Sequence, residues 1–222
     1  MMDELTTELL DGLPQTGPTD PIRYYRRPGV GWLFRERINR GLRMLPSRPF
    51  GPGLEVGYAA GAVLLVLARG VKDLHGLDLD ADPVPVREHL ASRGISASLV
   101  RASVYDLPYG DDAFDLVVCF SVFEHLDRYR RGLDEVARVL RPGGVFLIGM
   151  PAVNKTMEIG FSAIGFRGIG HHHVTTPAQV AASFEGAGFR IARTSHLDVP
   201  MARPLGIRVY YNWLLEKRSP RT

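Results

Sequence analysis

Between residues 53 and 150, short apolar runs alternate with stretches whose apolar residues recur at helical spacing, and this alternation restricts the chain to a largely parallel α/β sheet. Two parallel strands need a crossover between them, and a helix is the usual one. Strands are expected at 53–57, 73–78, 97–100, 114–120 and 145–150, with helices at 61–69, 83–93 and 127–140. The run Phe114 to Phe120 is apolar almost throughout, as in a strand covered on both faces. Residues 151–176, rich in glycine and histidine, read as a loop or lid, and Thr176-Pro177 opens a further helix. Segments 189–197 and 207–215 would close the sheet, for six or seven strands in all. Before the sheet, Trp32, Leu33, Ile38, Leu42 and Leu45 recur at helical spacing among arginines, which predicts an amphipathic helix over 31–45 ended by Pro46, Pro49 and Pro52. Residues 1–20 show no apolar periodicity and are expected to be mobile, ordering only over a ligand. The organisation expected is therefore an N-terminal segment and helix at 1–50 covering a site, and a sheet domain at 51–222 with its lid at 151–176.

Composition bounds the function. A chain of 222 residues with 45% hydrophobic content can bury one good core. Net charge is only +3, yet residues 21–50 hold eight arginines against the single acid Glu36, so this stretch could face something anionic. The excess sits on no nucleic-acid reading motif, so a nucleic-acid partner is not expected. Cys119 is the only cysteine, which excludes an internal disulfide and suggests a reducing, cytoplasmic setting. The start lacks the pattern of a signal peptide, and no run of about 18 apolar residues is present to span a bilayer.

The chemistry concentrates at the ends of the predicted strands. Residues 54–61, Leu-Glu-Val-Gly-Tyr-Ala-Ala-Gly, place an acid and two glycines where an apolar run passes into a helix. Small residues let a ligand approach the backbone, and the helix start offers unpaired N–H groups, so the turn suits a nucleoside cofactor. A carboxylate at Glu55, ending a buried strand, needs a cationic partner, and a ligand ammonium would supply one. Asp78 follows Gly61 by 17 residues, near the offset at which an acid meets ribose hydroxyls, with Asp80 and Asp82 as rivals. Ser103, Val104 and Asp106 follow the third strand, where a loop could bracket a base. A nicotinamide fingerprint would read Gly57-x-Ala59-x-x-Ala62, with one glycine of three.

Taken in order, Leu-Glu-Val-Gly-x-x-x-Gly, Gly-Leu-Asp, Asp-Leu-Pro-Tyr, Phe-Asp-Leu-Val-Val-Cys, Ser-Val-Phe-Glu-His-Leu and Val-Leu-Arg-Pro-Gly-Gly resemble the class I S-adenosylmethionine-dependent methyltransferases, small-molecule branch, over residues 53–150. The resemblance implies a Rossmann-like, doubly wound, seven-stranded sheet, mostly parallel with one antiparallel strand near the C-terminus and helices on both faces. It implies S-adenosylmethionine as cofactor, with Glu55 near the methionine ammonium, Gly57, Tyr58 and Gly61 beside the methionine and ribose, and Asp78 on the ribose hydroxyls. Leu79, Ser103 and Val104 would surround the adenine, and Phe120 would border the cofactor. Two positions depart from the family's pattern: Ala59 replaces a glycine, and Ser103 stands where an aspartate is common.

Catalytic candidates are His125, which follows the fourth strand beside Glu124, and His171, since imidazole takes up a proton near neutrality. On a strand His171 and His173 would share a face, so His173 joins Tyr24, Tyr25 and Asn154 as candidate substrate contacts. No carboxylate pattern supports a metal at the histidines, and none is expected. The Trp32-Leu33-Phe34 patch could dock on a membrane surface, hold an apolar anionic acceptor, or simply pack. The expected activity is methyl transfer to an O, N or C nucleophile of a small molecule, with apolar and aromatic flanks favouring a bulky natural-product or lipid-like acceptor. Two alternatives stay open: a fold that binds the cofactor without methyl transfer, as a cyclase or regulatory subunit, and a nicotinamide-dependent oxidoreductase.

Overall fold

The computed structural model describes residues 4–17, 20–152, 173–199 and 207–219. Seven strands form one sheet: β1 (Phe50–Val56), β2 (Val71–Asp78), β3 (Ser98–Arg101), β4 (Phe114–Phe120), β5 (Leu140–Pro151), β6 (Phe189–Val199) and β7 (Ile207–Lys217), in the order β3-β2-β1-β4-β5-β7-β6. Pairing is parallel from β3 through to β5, whereas β7 runs antiparallel to both its neighbours. The chain thus winds outwards from β1 to β3 and then returns to β4 beside β1. The crevice beyond the carboxyl ends of β1 and β4 is where such sheets bind ligands.

Helices cover both faces because alternate strand residues need covering on each side. Leu116, Val118 and Phe120 of β4 join one cluster with the N-terminal segment, while Val117 and Cys119 join the other with Leu133 and Val136 of α5 (Tyr129–Val139). The predicted apolar run at 114–120 is therefore a strand buried from both sides. The predicted strand at 145–150 begins earlier, at Leu140: pairing passes from Phe114↔Leu140 to Leu116↔Val145, and the Arg-Pro-Gly-Gly segment bulges out between them, with Gly143 at φ 75°. The Thr176-Pro177 signal holds: Thr176 accepts from the Gln179 N–H, and the Gln179 side chain accepts from the Thr176 N–H, closing a capping box.

The N-terminal segment packs on the sheet, including residues 4–17, which lack the apolar periodicity that would announce it. Helix α2 (Val30–Leu42) buries Phe34, Ile38 and Leu42, spaced four residues apart, against β5, β6 and β7. Burial of three such side chains contributes roughly 1.5–3 kcal/mol each. Residues 4–17 pack on the same core: Leu5, Leu10 and Leu13 are buried, and Asn39 of α2 accepts from the Leu5 N–H and donates back to its carbonyl. These leucines lack helical periodicity because the segment is mostly irregular, which is why spacing alone missed them. The arginines of 21–50 are largely structural. Arg26 donates to the Leu10 and Leu13 carbonyls, Arg40 and Arg43 pair with Glu36, and Arg35 caps the Tyr25 carbonyl.

Candidate active site

Beyond the carboxyl ends of β1, β2 and β4 lies a cavity of ≈ 1030 Å³. It is bordered by Glu55, Gly57 and Tyr58 after β1, Asp78 and Leu79 after β2, Ser103 and Val104 after β3, and Phe120 after β4. Eight of the nine residues predicted for the cofactor thus line one space. The ninth does not: Gly61 is absent from the lining, and its conformation serves the turn. It opens α3 (Ala62–Leu67) at φ 83°, where a Cβ would meet Val86 Cγ1 at 2.7 Å. Gly57, at φ 81°, faces a comparable block, since a Cβ there would fall 2.4 Å from Val122.

Glu55 is 3% exposed, and its Oε2 has no hydrogen-bond partner among the described residues. Burial, reinforced by the neighbouring Asp78 charge, pushes its carboxyl well above the usual range, against a lowering hydrogen bond from the Leu64 backbone. Asp78 is held differently. Its Oδ2 accepts from the Ala59 N–H, and its Oδ1 from the Asp80 and Ala81 N–H groups, each at 2.9 Å. The two acids are therefore set apart, Asp78 by backbone donors that hold an anion and Glu55 by an unmet need for a cation. Ser103 Oγ accepts from the Tyr105 N–H at 3.2 Å, which occupies part of its capacity towards a base. Tyr58 is 2% exposed with an unpartnered hydroxyl, and burial raises that phenol to about 12.

Ala59 adopts φ 44° in order to present its N–H to Asp78, a left-handed conformation that glycine takes without penalty. Ala59→Gly is expected to stabilise the protein by up to about 1 kcal/mol, strain relief outweighing the added freedom of the unfolded chain. Gly61→Ala should instead destabilise it by about 1–3 kcal/mol. Urea denaturation of the two variants checks this opposition.

A second cluster lies beyond β4. Glu124 is 1% exposed, its Oε2 is unpartnered, and burial pushes its carboxyl up to about 8, although backbone hydrogen bonding and the Arg37 charge lower it. The Val174 and Thr175 N–H groups donate to the Glu124 carbonyl, and Thr175 Oγ1 donates to the Leu126 carbonyl at 2.6 Å. These bonds bring His173 to His125, with ring centroids 5.2 Å apart. One ligand atom each of Glu124, His125 and His173 lies within 4.8 Å of the others, an arrangement that could relay a proton or accept a divalent cation. The expectation of no metal pattern came from looking along the sequence, where Glu124 and His173 are 49 positions apart. His171 and Asn154 lie outside the described residues. Tyr24 and Tyr25 line the cavity from α1 (Ile22–Tyr25), both buried. The aromatic patch divides: Phe34 is buried and stacks on Tyr24 at 5.5 Å, Leu33 borders the cavity, and Trp32 faces outwards. Among the lining residues not singled out in the sequence are Arg37 and Tyr210, which belong to no motif, and Ser121, which opens the Ser-Val-Phe-Glu-His-Leu run.

A doubly wound sheet with an acid-glycine turn after β1, an acid after β2 and one cavity spanning both defines a nucleoside-binding α/β protein. Residues 54–148 match the family model described as a methyltransferase domain. Over 98 residues the chain is 36% identical to a probable S-adenosylmethionine-dependent methyltransferase of Mycolicibacterium smegmatis, covering 44% of this chain and 37% of that relative. Two solved structures share the fold nearly end to end. The [4+2]-cyclase SpnF superposes with TM-score 0.69 at 18% identity, covering 97% of this chain and 93% of that one. The N-methyltransferase NodS of Bradyrhizobium japonicum, in complex with S-adenosyl-L-homocysteine, gives 0.65 at 19%, covering 98% and 100%. Residues 54–148 thus carry a methyltransferase domain, and the relatives and shared fold support the class I S-adenosylmethionine-dependent methyltransferase family. The chain spans about two-fifths of the length of the curated relatives it matches. These matches favour S-adenosylmethionine over a nicotinamide cofactor. Among the described residues no helix is long and apolar enough to cross a membrane.

Proposed function

We propose that this protein binds S-adenosylmethionine in the crevice bordered by Glu55 and Asp78 and transfers its methyl group to an O, N or C nucleophile of a small molecule. The observation that carries the reading is the buried Glu55 carboxyl with an oxygen lacking any partner, at the lip of a cavity large enough for a nucleoside and a second molecule. An α-ammonium group supplies the missing cation, and Asp78 has lone pairs left for ribose hydroxyls beside its backbone donors. Gly57, Tyr58, Leu79, Ser103, Val104 and Phe120 supply the surrounding walls.

When bound, S-adenosylmethionine supplies a methyl already activated on a sulfonium. What remains for the protein is position: holding a nucleophile about 3 Å from that carbon, in line and away from water. Tyr24, Tyr25 and His173 border the part of the cavity left for the acceptor, under α1 and α2. His125 serves as the base for an acceptor that must lose a proton, its Nε2 lying 3.9 Å from Glu124 Oε1. His171 shares that proposed role. Residues 1–50 act as the acceptor's cover.

Incubation with methyl-labelled donor and a panel of phenols, amines and carboxylic acids tests the reading, label in an acceptor being the expected result. His125→Ala should lower turnover about 100-fold while leaving S-adenosylhomocysteine affinity unchanged. The likeness to a cyclase structure gives the non-transferring reading its support. Tight cofactor binding with no label moved to any acceptor would favour it.

A further inference from the structure

The cavity holds a cation with which no acid among the described residues forms an ion pair. Arg37 of α2 lies over three aromatic rings, its guanidinium carbon 4.8 Å from the centre of Phe34, 5.2 Å from Tyr210 and 5.7 Å from Tyr25. One terminal nitrogen donates to the Tyr25 hydroxyl at 3.1 Å, and its Nε is buried without a partner. Arg40 and Arg43 on the same helix pair with Glu36, but Arg37 forms no ion pair among the described residues. The acid whose charge bears on it is Glu124, and the two form neither an ion pair nor a hydrogen bond among the described residues. A desolvated guanidinium is costly, and ring faces offset only part of that cost.

Arg37 stands towards the β7 side of the cavity. Its partner Tyr210 is on β7, separated from β1 by β4 and β5, or about 14 Å across three strand spacings. Further hydrogen-bonding groups converge there, since Ser121 Oγ and the Tyr210 hydroxyl lie 2.9 Å apart, and the wall beside them is apolar, formed by Leu33, Ile38, Leu197 and Val209.

We propose that the methyl acceptor is an apolar small molecule bearing a carboxylate, seated on the Arg37 guanidinium and the Tyr25 hydroxyl with its hydrocarbon body against Ile38, Leu197 and Val209. The inference rests on the reading that this end of the cavity takes the acceptor, and names the acceptor's class. Charge-assisted hydrogen bonds to a guanidinium select an acid over its isosteric neutral amide.

Calorimetric titration of the full chain at pH 7, with and without saturating S-adenosylhomocysteine, compares phenylacetate with phenylacetamide and octanoate with octanamide. The acids are expected to bind at least about 10-fold more tightly than their amides. In Arg37→Gln that preference should vanish while S-adenosylhomocysteine affinity is kept. Equal binding of acid and amide by the unmodified protein, no binding of either, or an acid preference that survives in Arg37→Gln overturns the proposal. The comparison within the unmodified protein does not depend on the variant folding. Failure of S-adenosylhomocysteine itself to bind sinks the methyltransferase reading instead, and the titrations without it still decide the role of Arg37.

Discussion

Replacing Glu55 by glutamine is expected to weaken S-adenosylmethionine binding about 10- to 100-fold without destabilising the ligand-free fold. Glutamine keeps the size of the side chain and removes the charge that an ammonium would answer. In the ligand-free protein the carboxyl holds its proton well above the usual carboxylate range, because it is desolvated and faces Asp78. A raised pKa in the folded state means that Glu55 stabilises the fold fully below its unfolded pKa, and that this contribution is lost as pH rises through the folded value. Glutamine has no such loss, so the variant should match or exceed the parent in stability near neutrality. Binding a cation on the ionised form expels a proton, so parent affinity should rise with pH until Glu55 is ionised in the free protein. Calorimetry in two buffers of different ionisation enthalpy measures the released proton. Equal affinities for parent and variant would remove Glu55 from the cofactor site.

The second large effect concerns Glu124. Its carboxyl is pushed up to about 8 by burial, so its stabilising contribution is whole below about 4.5 and disappears as pH climbs through 8. Glu124→Gln should be close to the parent at pH 5 and more stable at pH 9, by an amount on the order of 3–5 kcal/mol at the upper end. Other titrating groups are common to both proteins and cancel in the difference. Guanidinium denaturation at the two pH values reads it, and parallel stability curves would show that Glu124 is not the isolated buried acid that its unpartnered oxygen indicates.

The cofactor half of the site was legible in the sequence because each of its residues sits at the end of a strand. A parallel sheet sends all its carboxyl ends to one edge, so knowing the strands at 53–57, 73–78 and 114–120 already assembles Glu55, Asp78 and Phe120. Gly61 does not line the cavity and holds a turn in which a Cβ would meet Val86, and the sequence alone does not tell a glycine kept for the backbone from one kept for a ligand. The acceptor half was hard to read because its parts come from elements far apart in the chain. Tyr25, Arg37, Ser121 and Tyr210 belong to α1, α2, the turn after β4 and β7, and no local pattern links them. The packing of residues 4–17 was not legible because burial of Leu5 and Leu10 follows from the docking of an irregular segment, which periodicity does not register.

Strand order, helix positions and the acid-glycine turn follow from the linear pattern of apolar and small residues, since local periodicity and the crossover requirement leave a parallel sheet few other arrangements. Charge state and convergence were decided by the fold. Whether Glu55 and Glu124 hold protons, whether Arg37 has a counter-ion, and whether His173 reaches His125 all depend on which groups are desolvated together. Desolvation and the strength of a charge interaction are set by surroundings in three dimensions, and the order of residues along the chain does not state them.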